Sequence, residues 1–318
     1  MAYELLGAAG MTVENKQFYD RLLLERALPN LVHTNWGSKR NIPPRGGNSI
    51  EFRRLEAVSA TTTALTEGTP GAATQLTFSN VAATISQYGH FSQLTDILQL
   101  QAIDPVLTET VEMYGETMGN SIDQVVRNVV IAGTTVQFAA TAGSRVEVSS
   151  GERISYAEIR EAVSTLRTNN AKPVVDSKFI GIIHPHTERD VFADSDILTS
   201  FQNAYPRGPQ NPLAQGEIGD FYGIRWVVTS NARIFASEGA SGTDVYGTLI
   251  IGRNAYAVTE LDAQTARTYI IPTTSPDKSD PLFQYGTVGW KAALTAAILN
   301  ENFLLRIEHS STGGVEDG

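Results

Sequence analysis

The sequence predicts an α+β chain organised around one long helix, and three observations carry that prediction. The stretch from Asp104 to Ala132 repeats apolar residues at helical spacing over its whole length. On its N-terminal side, residues 42–94 change to a two-residue alternation broken by a long connection of small residues. On its C-terminal side, a capped second helix is interleaved with short apolar runs such as Phe179–Ile183 (FIGII) and Val245–Gly252 (VYGTLIIG).

The long helix has a defined start. Asp104 is placed as an N-cap whose carboxylate accepts from first-turn amides, and Pro105 takes the first helical position, where a missing N–H costs nothing. Leu107, Val111, Tyr114, Met118, Ile122, Val125 and Val129 follow at steps of four and three, which lays one apolar stripe along the helix. Gly133 is the C-terminal stop, and the span predicts a spine about 43 Å long at about 1.5 Å per residue. Gly115 and Gly119 each cost about 1 kcal/mol relative to Ala inside a helix, so another backbone is expected to approach closely there.

The other elements follow in order. Residues 1–35 read as an arm containing a helix, with Val13, Phe18, Tyr19, Leu22 and Leu23 at helical spacing before Pro29. Its apolar face must pack on a distant part of the chain or on a neighbouring copy. Ile50 and Phe52, then Leu76, Phe78 and Ile85, mark two strands flanking Ala57–Ala73 (AVSATTTALTEGTPGAA), which predicts a two-stranded finger projecting from the body. Beyond a polar crossing at Thr134–Gly151, Ser155 and Glu158 form a capping box ahead of Tyr156, Ile159, Val163 and Leu166. A short helix is expected at Thr187–Ala193, a loop at Tyr205–Gly216 and a strand at Trp226–Ser230. Further strands are expected at Arg267–Ile271, Val288–Leu299 and Phe303–His309, the last two joined as a hairpin turning at Asn300–Glu301 and packed beside the spine.

Composition excludes several classes. With 34 acidic against 24 basic residues, a net charge of −10 and no Lys/Arg-dense run, the chain has no footprint for sequence-specific nucleic-acid binding. No apolar run reaches the 18 or so residues of a membrane span, and the N-terminus lacks the basic-then-apolar layout of a secretory signal. The absence of cysteine removes disulfides and thiolate chemistry, and fits synthesis in a reducing cytoplasm. Only 18% of residues are charged, and such neutral polar surfaces suit large shared contacts.

Motifs that carry chemistry are few. His184 and His186 in HPHTERD, beside Glu188 and Asp190, suggest a metal site or a metal-dependent enzyme, but H-x-H aims both rings one way only on a strand, and Pro185 interrupts it. The flanking acids suit the start of a helix. The DSD at Asp194–Asp196 lacks the alternating ligands and closing Glu of a calcium loop and reads as a charged helix end. GTVGWK, Gly286–Lys291, is too short for a phosphate-cradling loop. No catalytic, cofactor-binding or metal-ligating residue is assigned, and no cofactor is expected.

An arm, a β finger, a spine helix, an α/β unit and a closing β region, in that order, resemble the major capsid proteins of tailed bacteriophages and their Hong Kong 97 type fold. Gly216–Ala232 (GEIGDFYGIRWVVTSNA), Val245–Val258 (VYGTLIIGRNAYAV) and Asp280–Glu308 (DPLFQYGTVGWKAALTAAILNENFLLRIE) are similar to the C-terminal half of the capsid family named after phage N4. The resemblance implies an N-terminal arm at 1–40, an extended loop at 41–95 lying across a neighbour, and a spine with the first part of the peripheral domain at 96–150. It implies an axial domain at 151–259 and the second part of the peripheral domain at 260–318. Hexamers and pentamers of an icosahedral shell around double-stranded DNA are implied, assembled in the host bacterial cytoplasm, with a separate scaffolding protein, a portal and decoration proteins as partners. The acidity would keep the inner wall from gripping the genome. A β-rich tail or surface adhesion module is the competing reading. Some members of the family crosslink a Lys to an Asn, and no residue here is assigned to that.

Overall fold

The computed structural model describes residues 31–43, 47–56, 73–101, 106–197, 220–261, 266–271 and 284–314, together with positions 23, 27, 199, 282 and scattered positions within 58–68. The first elements are β1 (Ser38–Ile42), β2 (Ser49–Leu55), β3 (Phe78–Thr84), β4 (Ser86–Thr95), α1 (Asp96–Gln101), α2 (Val106–Val130) and β5 (Val136–Phe138). Then come α3 (Tyr156–Thr168), β6 (Phe179–Ile183), α4 (Pro185–Ala193), β7 (Asp220–Phe221), β8 (Ile224–Val228) and β9 (Ile234–Phe235). The chain closes with β10 (Val245–Ile251), β11 (Tyr256–Leu261), β12 (Arg267–Ile271), β13 (Tyr285–Ile298) and β14 (Leu304–His309).

The periodic stretch folds as α2, 25 residues and about 37 Å long. The expected cap at Asp104 and Pro105, most of the arm, the finger's tip and the loop at Tyr205–Gly216 lie outside the described residues. The apolar stripe of α2 departs from its expected course. Val111, Tyr114, Met118 and Ile122 are buried, but the stripe then runs through Val126 and Val130, while Val125 and Val129 are only partly covered. Steps of four from Ile122 keep the same residues facing a neighbour that crosses the helix at an angle, where alternation of three and four would follow a parallel one.

Two sheets share this helix. A five-stranded sheet carries β13 at its centre, paired antiparallel to β4 on one side and to β11 and β12 on the other, with β1 parallel to β11. A seven-stranded sheet runs β5-β14-β10-β6-β8-β7, with β9 also paired to β10. Val111, Tyr114, Met118 and Val126 pack in one core with Val288, Trp290 and Leu294 of the first sheet and with Ile180, Ile182, Leu249 and Leu304 of the second. The opposite face of the seven-stranded sheet packs Phe179, Ile183, Ile250 and Ile307 against Ile159, Val163 and Leu166 of α3 and Val191 of α4. Covered on both faces, β6 and β10 are buried at every position, which is why FIGII and VYGTLII read as unbroken apolar runs.

Two described positions of the arm settle where that part packs. Leu23 and Ala27 are buried in the core with α2, and the backbone of Ala27 lies so close to Gly119 that a Cβ there would sit 2.5 Å from the Ala27 carbonyl oxygen. The helical glycine therefore marks a close backbone approach. Four residues on, Asp123 is 0% exposed and holds the end of the arm. It accepts from the His33 amide at 2.6 Å and the Thr34 amide at 3.3 Å, and it contacts His33 Nδ1 at 2.7 Å. The Tyr256 hydroxyl donates to the His33 carbonyl, tying β11 into the same latch.

The last two strands do not form the expected hairpin. β13 belongs to the five-stranded sheet and β14 to the seven-stranded one. A two-residue hairpin turn requires left-handed backbone at its centre, whereas Asn300 is extended at φ −147° and its side chain accepts from the Asn302 amide at 3.2 Å. Glu301 instead ties this crossing to the end of α2, accepting from the Thr134 amide through its carboxylate and from the Thr135 hydroxyl through its carbonyl, each at 2.9 Å. β13 does pack beside the helix, as expected.

β2 and β3 form a separate antiparallel pair, from Ser49 opposite Thr84 to Leu55 opposite Phe78. Phe52 and Ala83 anchor its root on Ala257 and Ala297. Substituting Met118→Asp puts an unpaired carboxylate where α2 meets both sheets, a cost of several kcal/mol against a typical domain stability of about 5–15 kcal/mol. The expected outcome is insoluble protein on expression; soluble Met118→Asp at wild-type yield would mean that the stripe is not core.

Candidate functional site

Among the described residues several polar clusters join elements remote in sequence, and the first is the Asp123 latch described above. The second closes the C-terminal end of α2, where the last carbonyls of a helix lack partners. Arg306 on β14 donates to the carbonyls of Ile131 and Gly133. Its Nε lies 2.7 Å from Glu308, and burial holds its pKa below the usual guanidinium value. Arg145 grips the buried Glu308 bidentately at 2.8 and 2.6 Å and reaches Glu238 at 2.6 Å. Those hydrogen bonds, Glu308 first, raise its pKa above the ordinary range despite partial burial. Its guanidinium carbon sits 3.5 Å above the centre of the Phe235 ring, a cation–π contact that fixes the fork from the third side.

The third cluster contains the histidines singled out in the sequence. His184 is the N-cap of α4, its Nδ1 accepting from the His186 amide at 3.2 Å, and Pro185 takes the first helical position. α4 thus starts two residues before the expected Thr187. His186 Nδ1 shares a 2.9 Å hydrogen bond with the Tyr246 hydroxyl, and the two imidazoles meet edge-on with centres 4.6 Å apart. His309, fully buried, donates from Nδ1 to the Ser310 carbonyl at 2.8 Å, so its neutral Nε2 accepts from Thr248 at 2.9 Å. Asp190 accepts from the amide of Thr312 at 3.0 Å and from its hydroxyl. Burial alone would raise the Asp190 pKa, but hydrogen bonds from Ser311 and Thr312 outweigh it and the carboxyl titrates below its usual value. A Cβ at Gly313 would come within 2.6 Å of the His186 ring, so the closing segment lies directly against it. The structure brings His184 and His186 together but points them at Tyr246 and the closing segment. Asp194 caps the end of α4 and accepts from the amides of Asp196 at 2.8 Å and Tyr156 at 3.1 Å, so DSD is a helix end. Among the described residues, no group of three His, Asp or Glu converges as a metal site.

The sequence reading missed Asp123, Arg145 and Glu308. The signal for Asp123 was a carboxylate four residues beyond Gly119 on a covered face; Arg145 and Glu308 are 163 residues apart, and only the fold pairs them.

In contrast to these buried clusters, large apolar side chains stand in solvent. Val58, Leu76 and Phe78 line the finger, Phe78 57% exposed. On the five-stranded sheet, Phe91 of β4 and Tyr269 of β12 both stand in register with Gly289 of β13 and border a shallow groove of about 510 Å³. Phe91 is 66% exposed, and Ile271 stands out on the same strand as Tyr269. Apolar exposure on this scale marks contact surfaces between molecules.

The sequence model of a family described as phage capsid protein matches residues 78–307. The chain belongs to the phage capsid protein family. Solved capsid proteins share its fold. The cyanophage Pam1 capsid asymmetric unit superposes with a TM-score of 0.68 at 17% identity, covering 98% of this chain and 97% of that one. The capsid of cyanophage P-SCSP1u gives 0.65 at 14% identity over 98% and 92%. The capsid of Ralstonia phage GP4 gives 0.68 at 14% identity over 88% of each chain. Among proteins of curated function, none matches the sequence. The fold is therefore the Hong Kong 97 type, and this phage capsid protein is a structural protomer that assembles into the shell of a virion.

The histidine cluster gives the folded protomer an acid sensitivity. Burial, then the neighbouring His186, pushes the His184 pKa down from its ordinary value of 6.5 to about 4, and burial lowers that of His309. Both states bind no proton at His184 above about pH 6.5, so it costs nothing there; between about pH 6.5 and 4 the unfolded chain takes up the proton first and stability falls. The unfolding temperature of the soluble protomer should decline across that window. It should decline less steeply in His184→Asn, which keeps a capping oxygen; equal slopes would mean that His184 is not held neutral.

Proposed function

We propose that this capsid protein forms hexamers and pentamers of an icosahedral head enclosing double-stranded DNA, with the finger as the element that spans neighbouring copies. The observation that carries the reading is the finger itself. Its root is anchored by Phe52 and Ala83, whereas Val58, Leu76 and Phe78 beyond that root are exposed in the protomer. Ordering a segment costs about 1–2 kcal/mol per residue in backbone entropy. With those side chains uncovered in the single protomer, contacts with another copy supply the compensation.

In this reading residues 1–40 are the N-terminal arm, 41–95 the extended loop, 96–150 the spine with the first part of the peripheral domain, 151–259 the axial domain and 260–318 the closing part of the peripheral domain. No residue is catalytic, which is supported by the engagement of His184, His186 and His309 in capping and packing. Assembly takes place in the host cytoplasm with a separate scaffolding protein and a portal, and decoration proteins add to the finished head. The genome is enclosed without sequence-specific contacts, in keeping with the net charge of −10.

Replacing Ala57–Ala73 by an Asn-Gly turn tests the role of the finger. The variant should fold with nearly unchanged melting temperature yet form capsomers poorly or not at all, measured by light scattering and negative-stain imaging beside wild type. Normal particles from the shortened chain would make the segment an ordinary surface loop.

A further inference from the structure

A second surface of the protomer is built for charge. Lys39 and Arg40 of β1 and Arg53 and Arg54 of β2 line one groove of about 360 Å³ at the root of the finger, and all four are exposed. Arg40 lies 5.5 Å over the ring of Phe52, Arg53 lies 5.7 Å over that of Phe78, and Arg54 donates to the Leu299 carbonyl at 3.3 Å. None of the four forms an ion pair among the described residues. The amides at the rim also present donors: Asn254 spends its oxygen on the Ser38 hydroxyl at 2.9 Å, and Asn300 spends its own on the Asn302 amide. Phe52 and Val81 supply apolar surface to the same groove. No carboxylate lines it. The groove is thus a cationic, donor-rich cleft with an apolar wall, which fits a partner combining carboxylates with an apolar side chain.

The chain itself carries such a partner. Between Arg54 and Arg127 the sequence contains no Lys or Arg and eight acidic residues. Glu109, Met113 and Glu116 of α2, spaced by four and three, share one face of that helix, and all three are exposed, Met113 to 58%. We infer that the cationic groove of one copy receives the Glu109–Met113–Glu116 stripe of the next. Groove and stripe are different surfaces of one chain, so the contact is head-to-tail, and a head-to-tail contact closes into rings when its rotation permits. The inference rests on the ring-forming reading above and names a contact for it. A nucleic-acid backbone is disfavoured as the occupant by the overall negative charge of the chain and by the apolar wall, for which a phosphodiester has no counterpart.

The test reverses charge on each side. Arg53→Glu with Arg54→Glu should melt like wild type but lose assembly by about tenfold or more, read by light scattering, since opposed like charges penalise a docked interface. Adding Glu109→Arg and Glu116→Arg to the same chain should restore particles, which a merely structural role for either pair would not do. Wild-type assembly should also weaken with rising salt. If the reversed chain melts poorly, Arg53→Gln with Arg54→Gln replaces it, and this milder variant should assemble less than wild type with a flatter salt dependence. Unchanged assembly in the groove variants, or failure of the fourfold variant to recover while folded, overturns the contact. So does loss of affinity for a short DNA duplex, by fluorescence anisotropy, in groove variants that assemble normally. A wild-type chain that forms no particles would remove the ring-forming reading first, and the contact with it.

Discussion

Everything in this protomer depends on α2 being covered by two sheets at once. A helix with a single buried stripe can satisfy one sheet. Here the covered face is broad enough that Met118 and Val126 share a core with Trp290 of one sheet and Leu249 of the other. That arrangement makes the helix the part that sets the position of the two sheets relative to each other. It also explains Gly119: the third neighbour, the backbone at Ala27, has room only where no side chain intervenes. The buried Asp123 is the cost of this crowding put to use, since its carboxylate satisfies two amides and a histidine at the end of the arm that would otherwise be sealed away from water.

Several other polar groups of the interior are spent in the same way. Arg306 and Glu301 hold the end of α2 to the crossing between sheets, Arg145 and Glu308 hold the polar crossing to β14, and His186 and Asp190 hold the closing segment to α4. These carboxylates and guanidinium groups are engaged with one another or with backbone. A chain without cysteine has no disulfide, and these charge-assisted hydrogen bonds tie together segments remote in sequence. In the single protomer, apolar and charged surfaces such as those at Phe78, Phe91, Arg53 and Arg54 stay uncovered.

Much of this was legible in the residues. Local signals with a single physical meaning read correctly: the capping box at Ser155 and Glu158, the doubly covered strand FIGII and the period of α2 up to Ile122, whereas the helix ends at Val130, ahead of the expected stop at Gly133. What escaped depends on partners remote in sequence. Nothing in the pattern around Asn300 and Glu301 says that β13 and β14 enter different sheets, because each strand looks the same whichever neighbour it pairs with. The drift of the stripe to Val126 and Val130 depends on which neighbours cover the helix, and those come from distant parts of the chain. The chemistry of the histidine motif was legible in part, since Pro185 ruled out a strand, but its engagement with Tyr246 and Gly313 required the fold.

Hydrogen exchange, compared between soluble protomers and assembled particles, tests the central claim most directly. If the two sheets cover α2 within one chain, its amides around Met118 and Ile122 should already be the slowest to exchange in the free protomer and should change little on assembly. Amides of β2 and β3 near Arg54 and Phe78 should gain protection only in particles. Fast exchange of α2 in the free protomer, slowed only by assembly, would contradict the account, because the helix would then owe its burial to neighbouring copies and not to its own sheets.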